Sequence, residues 1–303
     1  MARSTVSHPI DFSCGSCGAL IQVEAHLRST TCPYCASPAV VERPPDPSRP
    51  RPTFALPFTL PRECALESAR RWVRRRVFAR EAFRRADVAE IRGIYVPAYL
   101  FSAAAHARYS AQIGENYTET YTTTQNGRTV TRTRTKTEWH PLHGSFAAYV
   151  SDVVVTASRG LPNHELQAIE PFDLRGLRRY APALISGWLA EEATVTIDAG
   201  RQLAVAEAMA EVKRRIAAIL PGDKHSNLEV DARLVDIDEE LALVPVWVLP
   251  VRFGDAPDQV VRVLVNGQTG RAHGAAPRSW PKILGLVFTV VLLITAIVYA
   301  ARP

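Results

Sequence analysis

The sequence predicts an α+β fold from three observations. Two CxxC pairs lie close together near the N-terminus, a helix-then-strand plan occurs twice in the middle, and a long uncharged apolar run closes the sequence. Together they call for a small N-terminal zinc ribbon, a duplicated helix-on-antiparallel-sheet head with a long β-hairpin, and one C-terminal transmembrane helix. The boundaries follow composition: ribbon 1–42, proline-rich linker 43–53, duplicated α+β domain 54–275 and anchor 276–303.

Cys14-Gly15-Ser16-Cys17 and Cys32-Pro33-Tyr34-Cys35 come first. Each pair sits on a tight knuckle that aims two thiolates at one ion, so Cys14, Cys17, Cys32 and Cys35 predict one structural, tetrahedral Zn2+. Four thiolates close the coordination shell, which excludes a catalytic zinc. Ala19 to Val23 reads as a strand between the knuckles. Five basic residues face four acidic ones up to Pro52. That near-neutral balance favours a protein over a nucleic acid as what the ribbon touches. Cys64 lies in a helical pattern and reads as an inert thiol.

Pro44, Pro45, Pro47, Pro50 and Pro52 make a stiff, extended linker. The first copy of the head runs from Phe54-Ala55-Leu56 into a helix, Arg62 to Phe83, and on to Ile94–Phe101. The second runs from Thr194–Ile197 into a helix, Gln202 to Leu220, then a strand at Leu228–Ile237 and Leu243–Leu249. Both copies carry Val-Pro, one residue, then a large aromatic, inside a β-rich run. Proline there implies an edge strand or a bulge. Val205, Met209, Val212, Ile216 and Ile219 give the second helix one apolar face.

The first copy ends in a long hairpin. Tyr117 to Thr124 and Arg128 to Trp139 alternate around Asn126-Gly127, a type I′ turn signal. In the register that turn sets, threonines stack on one face, and Tyr117–Lys136, Glu119–Arg134 and Tyr121–Arg132 pair on the other. Both faces are polar, so the hairpin projects from the core and Tyr117, Glu119, Tyr121, Arg132, Arg134 and Lys136 form a candidate partner-binding surface. The first helix adds a basic face, Arg70, Arg71, Arg74 and Arg75. It reads as a charged solvent face first, and as a surface for anionic lipid or RNA second.

The last run, Ile283 to Ala301, holds no charge and no proline. Nineteen residues span about 28 Å as a helix, close to the ~30 Å hydrocarbon core. Trp280 and Tyr299 fall where aromatic belts sit, and Lys282 and Arg302 reach head groups at either end. The N-terminal residues lack a signal-peptide core, and Arg271, Arg278 and Lys282 precede the span. These point to a single-pass tail anchor in the inner (cytoplasmic) membrane with its head in the cytoplasm. Net charge is +6, which suits work beside anionic lipid or nucleic acid without selecting either.

No motif for nucleotide phosphates, zinc proteolysis or a serine elbow is present, so the sequence predicts no enzyme and indicates no small-molecule substrate. His140 and His143 with Glu138 occupy a crowded loop. Asp236, Asp238, Glu239 and Glu240 read as a turn between strands, and Glu191-Glu192 as unremarkable solvated carboxylates.

With these residues in view, CGSCG…CPYC, YVPAYLF, TETYTTTQNGRTVTRTRTKTEW, SDVVVTASRGLP, LVPVWVLPVRF and VLVNGQTGRAHG with the following span resemble a known group. It comprises bacterial zinc-ribbon proteins anchored by a C-terminal helix, often labelled primosomal-helicase-like or transcription-factor-IIB-type zinc finger. No helicase motor motif is present here. The resemblance implies zinc at the four cysteines and, from relatives resembling anchors for phage-shock-type envelope-stress proteins, recruitment of a soluble protein. The function expected is a non-enzymatic, zinc-binding membrane adaptor. The alternative is a membrane-tethered nucleic-acid binder using the ribbon, the basic helix and the hairpin.

Overall fold

The computed structural model describes residues 10–15, 19–23, 32, 34, 40–43, 50–86, 91–125, 128–254 and 260–300. Cys17, Cys35, the Asn126-Gly127 turn, the linker prolines Pro44, Pro45 and Pro47, and Arg302 lie outside them. In chain order the strands and helices are β1 (Ile10–Cys14), β2 (Leu20–Val23), β3 (Val40–Arg43), β4 (Phe54–Ala55), α1 (Arg62–Arg74) and α2 (Glu81–Arg85). Then come β5 (Arg92–Gln125), β6 (Arg128–Thr156), α3 (Asn163–Ile169), β7 (Arg178–Arg179), β8 (Leu189–Glu191) and α4 (Ile197–Ile219). The last are β9 (Lys224–Arg252), β10 (Val260–Asn266), β11 (Ala272–Gly274) and α5 (Trp280–Ala300).

Among the described residues, eleven strands form one sheet, ordered β11-β10-β9-β5-β8-β2-β1-β3, with β6 beside β5 and β4 joining β7 to β9. The sheet is mixed: β4 runs parallel to β9 and β5 parallel to β8, while the other registered pairs are antiparallel.

This overturns the predicted fold class. The N-terminal strands are not a separate small zinc-ribbon head, because β2 pairs with β8 through Ile21↔Glu191 and Gln22↔Ala190. Their backbone groups are spent in the main sheet. The internal repeat is also absent. The first helix ends at Arg74 rather than Phe83, Thr194–Ile197 forms no strand, and the second strand pair is one unbroken strand from Lys224 to Arg252. The two Val-Pro-x-aromatic runs lie in β5 and β9, which are neighbours inside the sheet rather than edges. Proline removes only a donor there. Pro97 O still accepts from Ala157 N at 3.0 Å and Pro245 O from Gly267 N at 2.9 Å.

The chain forms two compact units. One comprises Met1–Tyr99, Val155–Ile197 and Glu240–Pro303, the other Leu100–Val154 and Asp198–Glu239. In the first, α1 turns Ala65, Ala69, Trp72 and Val73 onto Trp247, Leu249 and Val251 of β9 and Val263 and Val265 of β10. Burying each large side chain contributes about 1.5–3 kcal/mol. Beside this core Phe58 stacks on Trp188 at 4.1 Å and meets Tyr95 and Trp247 edge-on. Gly93 makes room for that stack, since a Cβ there would fall 2.3 Å from Trp188 Cζ3.

In the second unit, α4 buries Gly200, Ala204, Ala208, Val212 and Ile216. The inward face is thus five residues spaced four apart, mostly small side chains, and Ile219, expected on it, is exposed. β5 buries Phe101, Ala103, Ala105, Ala107, Ala111 and Ile113 at alternate positions, as a strand with one covered face must. The predicted acidic turn is instead strand. There Glu239 takes a two-point bond from Arg201 at 2.7 and 2.8 Å.

Candidate functional site: a buried carboxyl behind the cysteine knuckle

The first knuckle is described on one side. Cys14 ends β1, and its N–H bonds Ala19 O at 2.9 Å, closing the turn into β2. Cys14 and Cys32 are both buried. Among the described residues no group of three or more His, Cys, Asp or Glu side chains is placed to hold a metal ion. The predicted set is therefore represented only by these two cysteines, and the reading of a self-contained zinc ribbon is corrected accordingly. His140 and Glu138 approach to 3.9 Å on the exposed hairpin.

Tyr34, from the second knuckle, is fully buried. Its hydroxyl donates to Glu191 Oε2 at 2.5 Å, and the Ser158 hydroxyl donates to Glu191 Oε1 at 2.5 Å. Glu191 itself is 3% exposed. It ends β8, opposite Ile21 of β2, and its neighbour Glu192 bonds Leu20 O through its N–H at 3.1 Å. Sheet pairing therefore aims the Glu191 side chain at the knuckle. Burial raises its pKa to about 7, against the bonds from Ser158 and Tyr34 and the attraction of Arg262. Burial and the adjoining carboxylate push the Tyr34 phenol well above its ordinary value, so it remains a donor.

The Ser158 loop is built to hold that hydroxyl. Thr156 Oγ1 accepts from Ser158 N at 3.0 Å and donates to Leu161 O at 2.7 Å, while Leu161 N donates to Ser158 Oγ at 3.0 Å. Gly160 must be glycine, since an added Cβ would lie 2.7 Å from Ala19 Cβ and 2.9 Å from Glu191 Oε1. Arg262 of β10 closes the far side. It bonds Gly160 O at 2.5 Å and Glu165 at 2.6 Å, and its guanidinium lies 5.5 Å from the Tyr34 ring centroid. Tyr34, Ser158 and Glu191 are buried and Arg262 is half-buried, so the cluster's chemistry is that of a clamp: a carboxyl, two hydroxyls and a guanidinium fastening knuckle, loop and sheet together.

Sequence reasoning missed Glu191, Ser158 and Arg262 as a set. The one sequence signal was the Ser-Arg-Gly-Leu-Pro run after a strand, whose serine and glycine mark a shaped loop.

Of the three predicted pairs on the charged face, Glu119 and Arg134 meet. Arg134 Nε bonds Glu119 Oε2 at 2.6 Å, Lys136 reaches the same carboxylate at 2.9 Å, and Thr137 Oγ1 donates to Asn116 Oδ1 at 2.8 Å. The Arg134 guanidinium lies 5.2 Å from the Tyr121 ring centroid. Tyr117, Tyr121 and Arg132 are exposed, and the two cations hold Glu119 below the ordinary carboxylate range. Arg70, Arg71, Arg74 and Arg75 are exposed on or just after α1, and Arg71 pairs with Glu67 at 2.8 Å.

Among the described residues one helix, α5, is long and apolar enough to cross a membrane, and none of Trp280–Ile297 is buried. No family model matches the chain, and no solved structure does. Among curated proteins, the uncharacterized protein YdjG of Bacillus subtilis (strain 168) is 22% identical over 242 residues. That match covers 77% of this chain and 65% of YdjG, so the chain spans less than two thirds of that relative's length.

Proposed function

We propose that the protein is a non-enzymatic membrane-anchored adaptor that holds a cytoplasmic protein partner at a bacterial inner membrane, with the β5–β6 hairpin as the docking arm. One observation carries the reading. Beyond Asn116 the described hairpin residues are exposed or half-exposed on both faces, and Glu119 holds Arg134 and Lys136 across the strands. An isolated two-stranded ribbon is marginal in water, and Tyr117 and Tyr121 are the residue type that anchors protein interfaces. The nucleic-acid alternative is weakened because Glu119 already engages Arg134 and Lys136. The family resemblance adds recruitment of an envelope-stress protein as the expected role.

The test uses the full chain in nanodiscs with a photo-crosslinker at Arg132. A specific partner should be captured by the parent and lost about ten-fold or more from Tyr117→Ala/Tyr121→Ala. Unchanged capture overturns the docking arm. A salt-sensitive gel shift with nucleic acid, abolished by Arg132→Gln, would favour the alternative.

One structural Zn2+ at Cys14, Cys17, Cys32 and Cys35 belongs to the same proposal. The described cysteines fit it in being buried, and such an ion would cross-link the two knuckles. Elemental analysis of the purified full chain should return one zinc per molecule, and none from Cys14→Ser/Cys32→Ser.

A further inference from the structure

The arginine-rich end of α1 is fastened to the first residues of the apolar helix. After Arg74 the chain turns through Arg75, Arg76, Val77 and Phe78 to the buried Ala79. Ser279 N donates to Phe78 O at 2.7 Å, Arg80 N to Pro277 O at 3.0 Å, and Ala79 forms an antiparallel bridge with Arg278. The Lys282 ammonium donates to Ala79 O and Glu81 Oε2, each at 3.1 Å, and reaches Val77 O at 3.4 Å. Lys282 is thus occupied by protein groups instead of reaching for a head group as the sequence suggests.

These bonds fix the turn's height. The uncharged run of α5 begins at Ile283, directly after Lys282, and residues 283–300 give about 27 Å of helix for a ~30 Å hydrocarbon core. A spanning α5 has almost no freedom to slide. The turn bonded to Ser279 and Lys282 then lies about one helical turn, ~5 Å, outside the apolar layer, which is the depth of the head groups.

What the turn presents there matches that layer. Val77 is 57% exposed and Phe78 44% exposed, side by side at the tip. Arg74, Arg75, Arg76 and Arg80 surround them, all exposed, with no acidic residue from Ala69 to Arg80. Arg76 is held over the Trp72 ring at 4.3 Å. Glu81, which follows, is engaged by Arg84, Arg85 and Lys282.

Resting on the reading that α5 spans a bilayer, we infer that the turn from Arg74 to Arg80 is a lipid-facing contact of the head. Val77 and Phe78 enter the interface, and Arg74, Arg75 and Arg76 bind the phosphates of anionic phospholipids in the adjoining leaflet. Guanidinium groups suit phosphate oxygens by their fork geometry, and basic residues beside an anionic leaflet gain attraction one by one. The contact converts a single flexible attachment into two-point seating, with helix and turn gripping the same leaflet.

The test is lipid selectivity of the full chain. The protein is reconstituted into nanodiscs of phosphatidylcholine mixed with phosphatidylglycerol, and retained lipids are weighed by native mass spectrometry. The parent should retain phosphatidylglycerol in excess of its share, and Arg74→Gln/Arg75→Gln/Arg76→Gln should lower that excess by about five-fold or more. Arg70→Gln/Arg71→Gln, one turn further from α5, should leave it unchanged. Equal retention by parent and triple variant, or equal loss in both variants, overturns the inference. Insertion is scored separately by co-elution with the discs. A parent that fails to insert removes the spanning reading itself, whereas one that inserts without selectivity removes only the lipid contact. Selective loss of RNA binding in the triple variant, with phosphatidylglycerol retention unchanged, would assign the surface to nucleic acid and overturn the lipid contact.

Discussion

Glu191 couples proton uptake to the docking of the knuckle. Its carboxyl ionises near 4.5 ordinarily and near 7 in the fold, so the folded state favours the protonated form. Stability from this group is fully present below about 4.5 and is lost as pH rises through about 7, by about 3 kcal/mol in all. The groups facing it are Tyr34, Ser158 and Arg262, with Glu165 behind Arg262 and Cys32 near Tyr34. Thermal unfolding of the full chain in detergent should show a falling midpoint from pH 5 to pH 8, and Glu191→Gln should flatten that slope; a Gln variant with the parent slope refutes the assignment. Tyr34→Phe should cost about 1–3 kcal/mol by leaving a buried acceptor short of a donor. Gly160→Ala should cost a similar amount through its clash with Ala19. The strand after the first cysteine pair was legible because its pattern is local. Glu191 was not, because Tyr34 is 157 residues away and Ser158 is 33 away, and a glutamate pair beside a short strand looks solvated until its sheet partner is known.

Among the elements, the hairpin was the most readable and α1 the least. Strict alternation about Asn-Gly sets a register in which Glu119 must meet Arg134, whatever the rest of the chain does. The end of α1 depends instead on bonds from Pro277, Ser279 and Lys282, some two hundred residues later. Apolar periodicity alone ran the helix on to Phe83, across a turn that only those bonds hold. Lys282→Met should therefore loosen the turn. Amide hydrogen exchange at Ala79 and Ser279 should quicken about five-fold, the equivalent of roughly 1 kcal/mol of lost bonding. Unchanged exchange would mean that the backbone bridge suffices without the ammonium.

At the scale of the whole molecule, a helix long and apolar enough to cross a membrane was legible and the architecture was not. A long apolar run needs no partner to be recognised. The repeat was misread because Val-Pro-x-aromatic occurs in β5 and β9, adjacent strands of one sheet, where similar burial selects similar residues without duplication. The full chain should stay with membranes through an alkaline carbonate wash, and a chain lacking residues 280–303 should leave them; release of the parent would discard the anchor. The interleaving of the compact units has its own effect. Leu100–Val154 and Asp198–Glu239 are each entered from the first unit and left back into it, so the backbone passes between the units four times. A protease that nicks one of these passages leaves three others intact, and all four must be cut before the two units are no longer covalently joined.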